Sequence, residues 1–213
     1  MRLVVFLAAS AATVLAQRSI PIENDQVRVL SVVDKPTTSK GAMHEHAMNR
    51  VMIYLDEGRQ RITFKDGRVV DRPVKPGMVI WDPKQGLHQS ENPGTTAVRI
   101  VEIELKGEPK AFTSPSLDPL KVYPAGYKVE FENPQVRVVR VKVGPGTKIP
   151  LHEHALNRVT VFLQPQKMRI TPEGGTATEL APTQGEVRWG TPVRHVEENL
   201  GSGDFEVVMV EVK

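Results

Sequence analysis

The stretch His44-Glu-His46-Ala-Met-Asn-Arg-Val51 decides how this chain is read, because it returns 108 residues later as His152-Glu-His154-Ala-Leu-Asn-Arg-Val159. Working outward, Asn24-Asp-Gln-Val-Arg-Val returns from Asn133 as Asn-Pro-Gln-Val-Arg-Val, and Arg61-Ile-Thr63 returns as Arg169-Ile-Thr171. Gly77 and Trp81 match Gly185 and Trp189, the only two tryptophans, and His88 with Asn92 matches His195 with Asn199. The offset drifts only from 109 to 107, so single-residue insertions and deletions separate the halves. A unit that recurs in register over this length is a duplication. Between the copies, the stretch from Gly107 to Gly126 carries Pro109, Pro115, Pro119 and Pro124. Proline fixes φ and removes a donor, so this is a connector, with the boundary placed near residue 115. The expected organisation is residues 1–16 as a leader, 17–114 as the first domain and 115–213 as the second.

Each copy reads as strands. Val27, Val29 and Ser31 alternate with Arg28, Leu30 and Val32, and alternation recurs over Val98–Leu105, Val136–Val143 and Phe205–Val212. Period-two patterns rich in Val and Ile predict half-buried β-strands. Asp66-Gly67 and Gly174-Gly175 sit at equivalent places between such runs and suit tight hairpins. Beyond the leader no long window has a helical period. The fold class is therefore all-β, two tandem barrels or sandwiches of about 90 residues each.

The 213 residues include 28 Lys and Arg against 25 Asp and Glu, a formal charge of +3. No basic run stands out, which argues against nucleic acid as a partner. There is no cysteine, which excludes disulfides, thiolate metal sites and cysteine nucleophiles. Arg2 followed by the apolar Leu3–Leu15 and the small-residue pattern Val14-Leu15-Ala16 reads as a secretory signal peptide, too short to span a bilayer. Its removal leaves 197 residues, an exported chain (periplasmic or secreted) with no membrane segment.

All six histidines belong to the repeat: His44, His46 and His88, then His152, His154 and His195. On a strand, residues i and i+2 share a face, so each His-x-His pair projects together. The third histidine follows about 40 residues later, and in a small antiparallel barrel its strand can lie beside the first. Three converging neutral imidazoles make a nitrogen set for a divalent first-row metal that leaves coordination positions open.

At these residues the chain resembles the cupin superfamily, as a two-domain bicupin. The first cupin motif is Gly, five residues, His-x-His, then Glu and Gly; Gly146 with His152-Glu-His154 fits it, while the first half has Thr38 in place of the glycine. The second motif is matched by Gly77, Pro83, His88 and Asn92, and by Gly185, His195 and Asn199 with one residue deleted. The resemblance implies two tandem cupin (double-stranded β-helix, jelly-roll-type) barrels, each with a metal inside. It covers nearly all of the mature chain. The motif's Glu is missing from both halves: Val51 and Val159 stand there at four-residue spacing, Arg50 and Arg158 at three. Three-His cupins include Fe(II) dioxygenases, so the resemblance implies a divalent transition metal, Fe(II) first, with Mn, Zn, Ni or Cu as alternatives. Homodimers by strand exchange also occur in the family, which leaves a homodimer open here.

Arg50 and Arg158 share strand parity with the histidine pairs. On an unbroken strand they face the cavity as carboxylate-binding forks; a bend would turn them outward into salt bridges. Glu45 and Glu153 point to the opposite face. Asn49 and Asn157 read as turn or backbone-bonding residues, Asn92 and Asn199 as turn closers, and Trp81 and Trp189 as barrel-packing or domain-interface residues. Three functions remain: a three-His non-haem dioxygenase acting on a small chelating or anionic substrate, a metal-dependent isomerase or lyase on a sugar acid or small carboxylate, and a non-catalytic exported small-ligand binder.

Overall fold

A computed structural model describes residues 17–37 and 41–213. The leader 1–16 and the motif position Thr38 lie outside the described residues. The first lobe comprises β1 (Gln17–Glu23), β2 (Val27–Asp34), β3 (His44–His46), β4 (Arg50–Tyr54), β5 (Gly58–Phe64), β6 (Val69–Val74), β7 (Val79–Asp82), β8 (Gln85–Glu91) and β9 (Val98–Leu105). A one-turn helix α1 (Pro119–Val122) follows. The second lobe repeats the series as β10 (Tyr127–Glu132), β11 (Val136–Val143), β12 (Lys148–His154), β13 (Asn157–Phe162), β14 (Met168–Pro172), β15 (Thr178–Leu180), β16 (Val187–Gly190), β17 (Val193–Asn199) and β18 (Phe205–Val212). Each lobe folds two antiparallel sheets against each other. The five-stranded sheets run β1-β2-β9-β4-β7 and β10-β11-β18-β13-β16; the four-stranded sheets run β3-β8-β5-β6 and β12-β17-β14-β15.

Local chemistry sets the corners. The hairpins β5–β6 and β14–β15 turn at Gly67 and Gly174, both at positive φ, where a β-carbon would be strained. The register slips between Ile149 and His152, where Pro150 cannot donate to the ladder, and β12 tolerates this because it is an edge strand. The connector is pinned to the second lobe. Asp118 caps α1 by accepting from the Leu120 N–H at 3.0 Å, and takes Arg137 Nη1 at 2.7 Å and Ser114 Oγ at 2.8 Å.

The strands at Val98–Leu105, Val136–Val143 and Phe205–Val212 form as the alternation predicts, but the expectation that they are half-buried fails: seven residues of each eight in β9 and β18 are buried. Alternate residues enter different interiors. Val98 and Ile100 face the inside of the first barrel, with Leu30, Val32 and Tyr54. Val101, Ile103 and Leu105 face the other way, into a core shared with Val138, Val159, Val161, Val208 and Val210 of the second lobe. The two five-stranded sheets thus pack on each other, and Trp81 and Trp189 lie against this shared core. A sheet covered on both sides reads as an apolar run, with charges surviving only where they have a partner.

Candidate metal centre

Each histidine triad is assembled on two neighbouring strands. β3 pairs with β8 so that His44 lies directly opposite His88, and β12 pairs with β17 so that His152 lies opposite His195. Within each triad one ring nitrogen per histidine lies within 4.8 Å of the others. Ring centroids are 4.7–5.2 Å apart in the first triad and 4.5–5.2 Å in the second. All six predicted histidines are therefore brought together, three in each barrel.

Backbone carbonyls orient the rings. His44 Nδ1 donates to Ala42 O at 3.0 Å, His88 Nδ1 to Gly86 O at 2.8 Å and His152 Nδ1 to Pro150 O at 2.8 Å. That tautomer leaves the Nε2 lone pair facing the barrel. Burial favours the neutral form of the second triad: it drives His195 down to about 2, helped by His152 and His154, and lowers His152 and, further, His154. In the first triad burial, then the Arg50 charge, takes His46 down to about 3, and burial lowers His44.

The second triad fits a divalent metal. His152 Nε2 and His195 Nε2 are 2.9 Å apart, the spacing of two nitrogens that each sit about 2 Å from one ion. His154 Nδ1 is buried without a hydrogen-bond partner and faces Glu211 Oε1, equally unpartnered, at 3.6 Å. A carboxylate behind a ligating histidine is the usual outer partner of a metal-bound imidazole. Glu211 is held from its other side by Arg137 Nε at 2.5 Å. In the first triad the corresponding atom, His46 Nδ1, is occupied by Arg50 Nη1 at 2.9 Å.

Arg50 and Arg158 both face barrel interiors, and both are buried. Val51 and Val159 point away from the triads into the core between the lobes. Arg50 bonds Asp82 and, at 3.2 Å, Glu102. Arg158 donates to the Thr191 carbonyl at 2.9 Å and forms no ion pair among the described residues. It lies on Gly190, where a β-carbon would come within 2.9 Å of the guanidinium carbon. Glu45 is exposed, and Glu153 sits in a surface ion pair with Arg194 at 2.9 Å, as parity predicts. Asn92 and Asn199 close equivalent turns, each donating to two backbone carbonyls and accepting from Gly94 and Gly201 N–H.

The chambers differ in size: about 240 Å³ in the second barrel against about 30 Å³ in the first, room for a water or so. The larger is walled by apolar residues including Phe162, Met168, Leu180, Val207 and Met209, with polar atoms from His154, His195, Arg158, Glu197 and Tyr127 and also from Thr160 and Arg188, the last paired with Glu186. Burial pushes Glu197 up to about 7, against the pull of Arg158 and of the Tyr127 hydroxyl, which donates to Glu197 Oε2 at 3.4 Å. Tyr127 is fully buried and raised well above its ordinary value, so it keeps its proton. Its hydroxyl is also 3.5 Å from His152 Nε2. Glu197 and Tyr127 were missed in the sequence, although Glu197 stands two residues beyond His195 and so shares its face.

Solved structures carry the same architecture. The crystal structure of AerE from Microcystis aeruginosa superposes over 93% of this chain and 97% of its own, with a TM-score of 0.64 and 13% identity. A cupin 2 conserved barrel domain protein from Leptotrichia buccalis matches over 97% and 92%, at 0.55 and 13%. The chain folds as a bicupin. The oxalate decarboxylase of Bacillus subtilis, described with Mn(II) centres, matches this bicupin over 88% of the chain and 69% of its own, at 0.57 and 16% identity. At these identities the likeness is one of fold. Neither a protein-family model nor a curated protein sequence matches the chain. Within that fold each barrel carries a histidine triad whose donor set suits a divalent first-row metal.

Proposed function

We propose that this bicupin is a metal-dependent enzyme whose reaction chamber is the second barrel, acting on a small carboxylate with an apolar body. One observation carries the reading: two histidines of the triad, His154 and His195, an arginine with no ion pair among the described residues and a buried carboxyl group all open into one cavity with largely apolar walls. Arg158 is desolvated and forms no ion pair among the described residues, so a substrate carboxylate accepted by its fork supplies the missing partner. The walls from Met168, Leu180 and Met209 receive an aliphatic or aromatic substituent and exclude water.

His152, His154 and His195 would hold a metal ion, which would supply Lewis-acid chemistry toward a carbonyl or hydroxyl oxygen. Glu197 is the proton carrier: buried, facing the cavity and tuned close to neutral pH, it accepts a proton from a carbon made acidic beside that carbonyl, or returns one. Tyr127, protonated and bonded to Glu197, steadies the carboxylate while it holds charge. This pairing favours an isomerase or lyase. The three-His set without a carboxylate ligand supports a second reading, an Fe(II) dioxygenase on a chelating acid, for which neither Glu197 nor Tyr127 has a necessary task.

The discriminating experiment is a panel of 2-oxo and 2-hydroxy acids with apolar side chains, incubated with metal-loaded protein in D₂O. Metal-dependent deuterium uptake at carbon, without oxygen consumption, is expected. Oxygen uptake with Fe(II) and no exchange would establish the dioxygenase reading instead, and binding without either reaction would make the chain a ligand carrier. Because residues 1–16 read as a leader, the enzyme is proposed to act outside the cytoplasm; a mature amino terminus at Gln17 checks that.

A further inference from the structure

The two triads agree in strand placement and in the backbone carbonyl behind the first histidine of each His-x-His, and they differ at Nδ1 of the second. At His46 that atom lies 2.9 Å from Arg50 Nη1. A guanidinium has five donors and no acceptor, so the imidazole must accept. A neutral imidazole has one lone pair and one N–H. With the lone pair committed at Nδ1, the proton sits on Nε2, and that nitrogen offers nothing to a cation.

Arg50 is not free to withdraw. Asp82 and Glu102 hold its terminal nitrogens, and all three side chains are buried. A divalent ion in this barrel would also share about 30 Å³ with a permanent cation. In the second barrel the equivalent guanidinium lies over Gly190 and bonds Thr191 O, which leaves His154 Nδ1 facing Glu211.

We propose that the first triad is closed to metal by Arg50, and that this chain binds a divalent ion once, at His152, His154 and His195. Resting on the metal-dependent reading above, the first barrel is then a packed support whose charged interior replaces a chamber.

The test is equilibration of the full chain with Co(II) alone at neutral pH, bound metal being read by elemental analysis after desalting and by the ligand-field absorption of the ion. One Co(II) per chain is expected in the wild type, none in His195→Ala and one in His88→Ala. Arg50→Met removes the donor but leaves two carboxylates beside the triad, and is expected to take up a second ion with a second absorption envelope. Two ions in the wild type overturn the proposal, as does loss of the ion in His88→Ala with retention in His195→Ala. A folded Arg50→Met that stays at one ion overturns the role of Arg50; if circular dichroism shows that variant unfolded, Arg50→Gln with Asp82→Asn is read the same way, and the two histidine variants decide between one site and two in any case. No ion at all in the wild type sinks the metal-dependent function itself, a different result from two.

Discussion

Strand register puts Asp82 opposite Arg50 in the first barrel and Gly190 opposite Arg158 in the second. The next position along sets Glu102 across from Met52 but Met209 across from Thr160. The same substitution of polar by apolar runs round the wall: Gln60 and Arg72 pair in the first barrel where Met168 and Leu180 pair in the second. In the first, Tyr54 donates to Gln60 at 2.6 Å, and Arg72 donates to both, so side chains satisfy one another and fill the space. In the second the walls are largely apolar and the space stays open. Duplication supplied one scaffold twice; the divergence lies in whether a buried charge is answered by the protein or left for a ligand.

The sharpest way to break that contrast is to remove one triad. His195→Ala should abolish turnover, dropping metal-dependent deuterium exchange to background, since the ion loses one of three ligands. Glu197→Gln comes next: general acid–base groups contribute roughly 10²–10⁴-fold, so exchange should fall by that factor while the metal stays bound. The same variant has a pH signature in the metal-free protein. Burial raises Glu197 to about 7 from an ordinary 4.5, so the folded state holds the proton more tightly than the unfolded chain. Its contribution is fully present below about pH 4.5 and is lost as pH rises through about 7. Urea midpoints of wild type and Glu197→Gln should therefore agree near pH 4.5 and separate by pH 8, with the variant the more stable.

The two arginines sharpen the contrast from both sides. Arg50→Leu strands Asp82 and Glu102 as buried, unpaired carboxylates, and a cost of about 3–5 kcal/mol is expected in denaturant unfolding. Among the described residues Arg158→Leu breaks no ion pair, only a hydrogen bond to a carbonyl, and it should leave stability within about 1 kcal/mol. It should instead weaken a carboxylate ligand by about 10–100-fold, read as a rise in Kd or KM, in line with the loss of a charge-assisted hydrogen bond. If both variants lose stability alike, Arg158 is as structural as Arg50 and the distinction between the chambers fails.

What was legible in the sequence was what the halves share. The strands, the hairpin turns at Gly67 and Gly174 and the meeting of His44 with His88 and of His152 with His195 all follow from repeated residues and a period of two. What escaped was what the halves do not share. Asp82, Glu102, Tyr127 and Glu197 stand where the other copy has Gly190, Met209, Arg18 and Ser90, so a search for matches passes over them. The half-buried expectation for the long strands failed for a related reason. A period of two reports that two faces differ, and Glu102 and Glu104 beside Val101 and Ile103 imitate a solvent face, although both glutamates are buried against arginines. Nothing in the pattern along one strand says that a second barrel covers the outer face.

That covering face gives the smallest prediction, and it concerns a feature the barrels treat alike. Asn49 Nδ2 donates across the interface to Gln135 Oε1 at 2.5 Å, and its repeat mate Asn157 donates to Gln26 Oε1 at 2.7 Å. Each bond thus joins the histidine-bearing segment of one lobe to the opening strand segment of the other. Asn49 has further duties, its Oδ1 accepting from the Lys84 N–H at 2.9 Å. Neutral, partly buried hydrogen bonds of this kind contribute about 0.5–1.5 kcal/mol. Asn49→Ala and Asn157→Ala should each cost about 1 kcal/mol, Asn49→Ala the more, without altering metal content. Because the valine-rich core spans both lobes, the chain should unfold in a single transition, and the double variant should keep it, shifted by the sum of the two losses. Separate transitions for the lobes would mean that the shared core does not couple them, and that the closed barrel is not what steadies the open one.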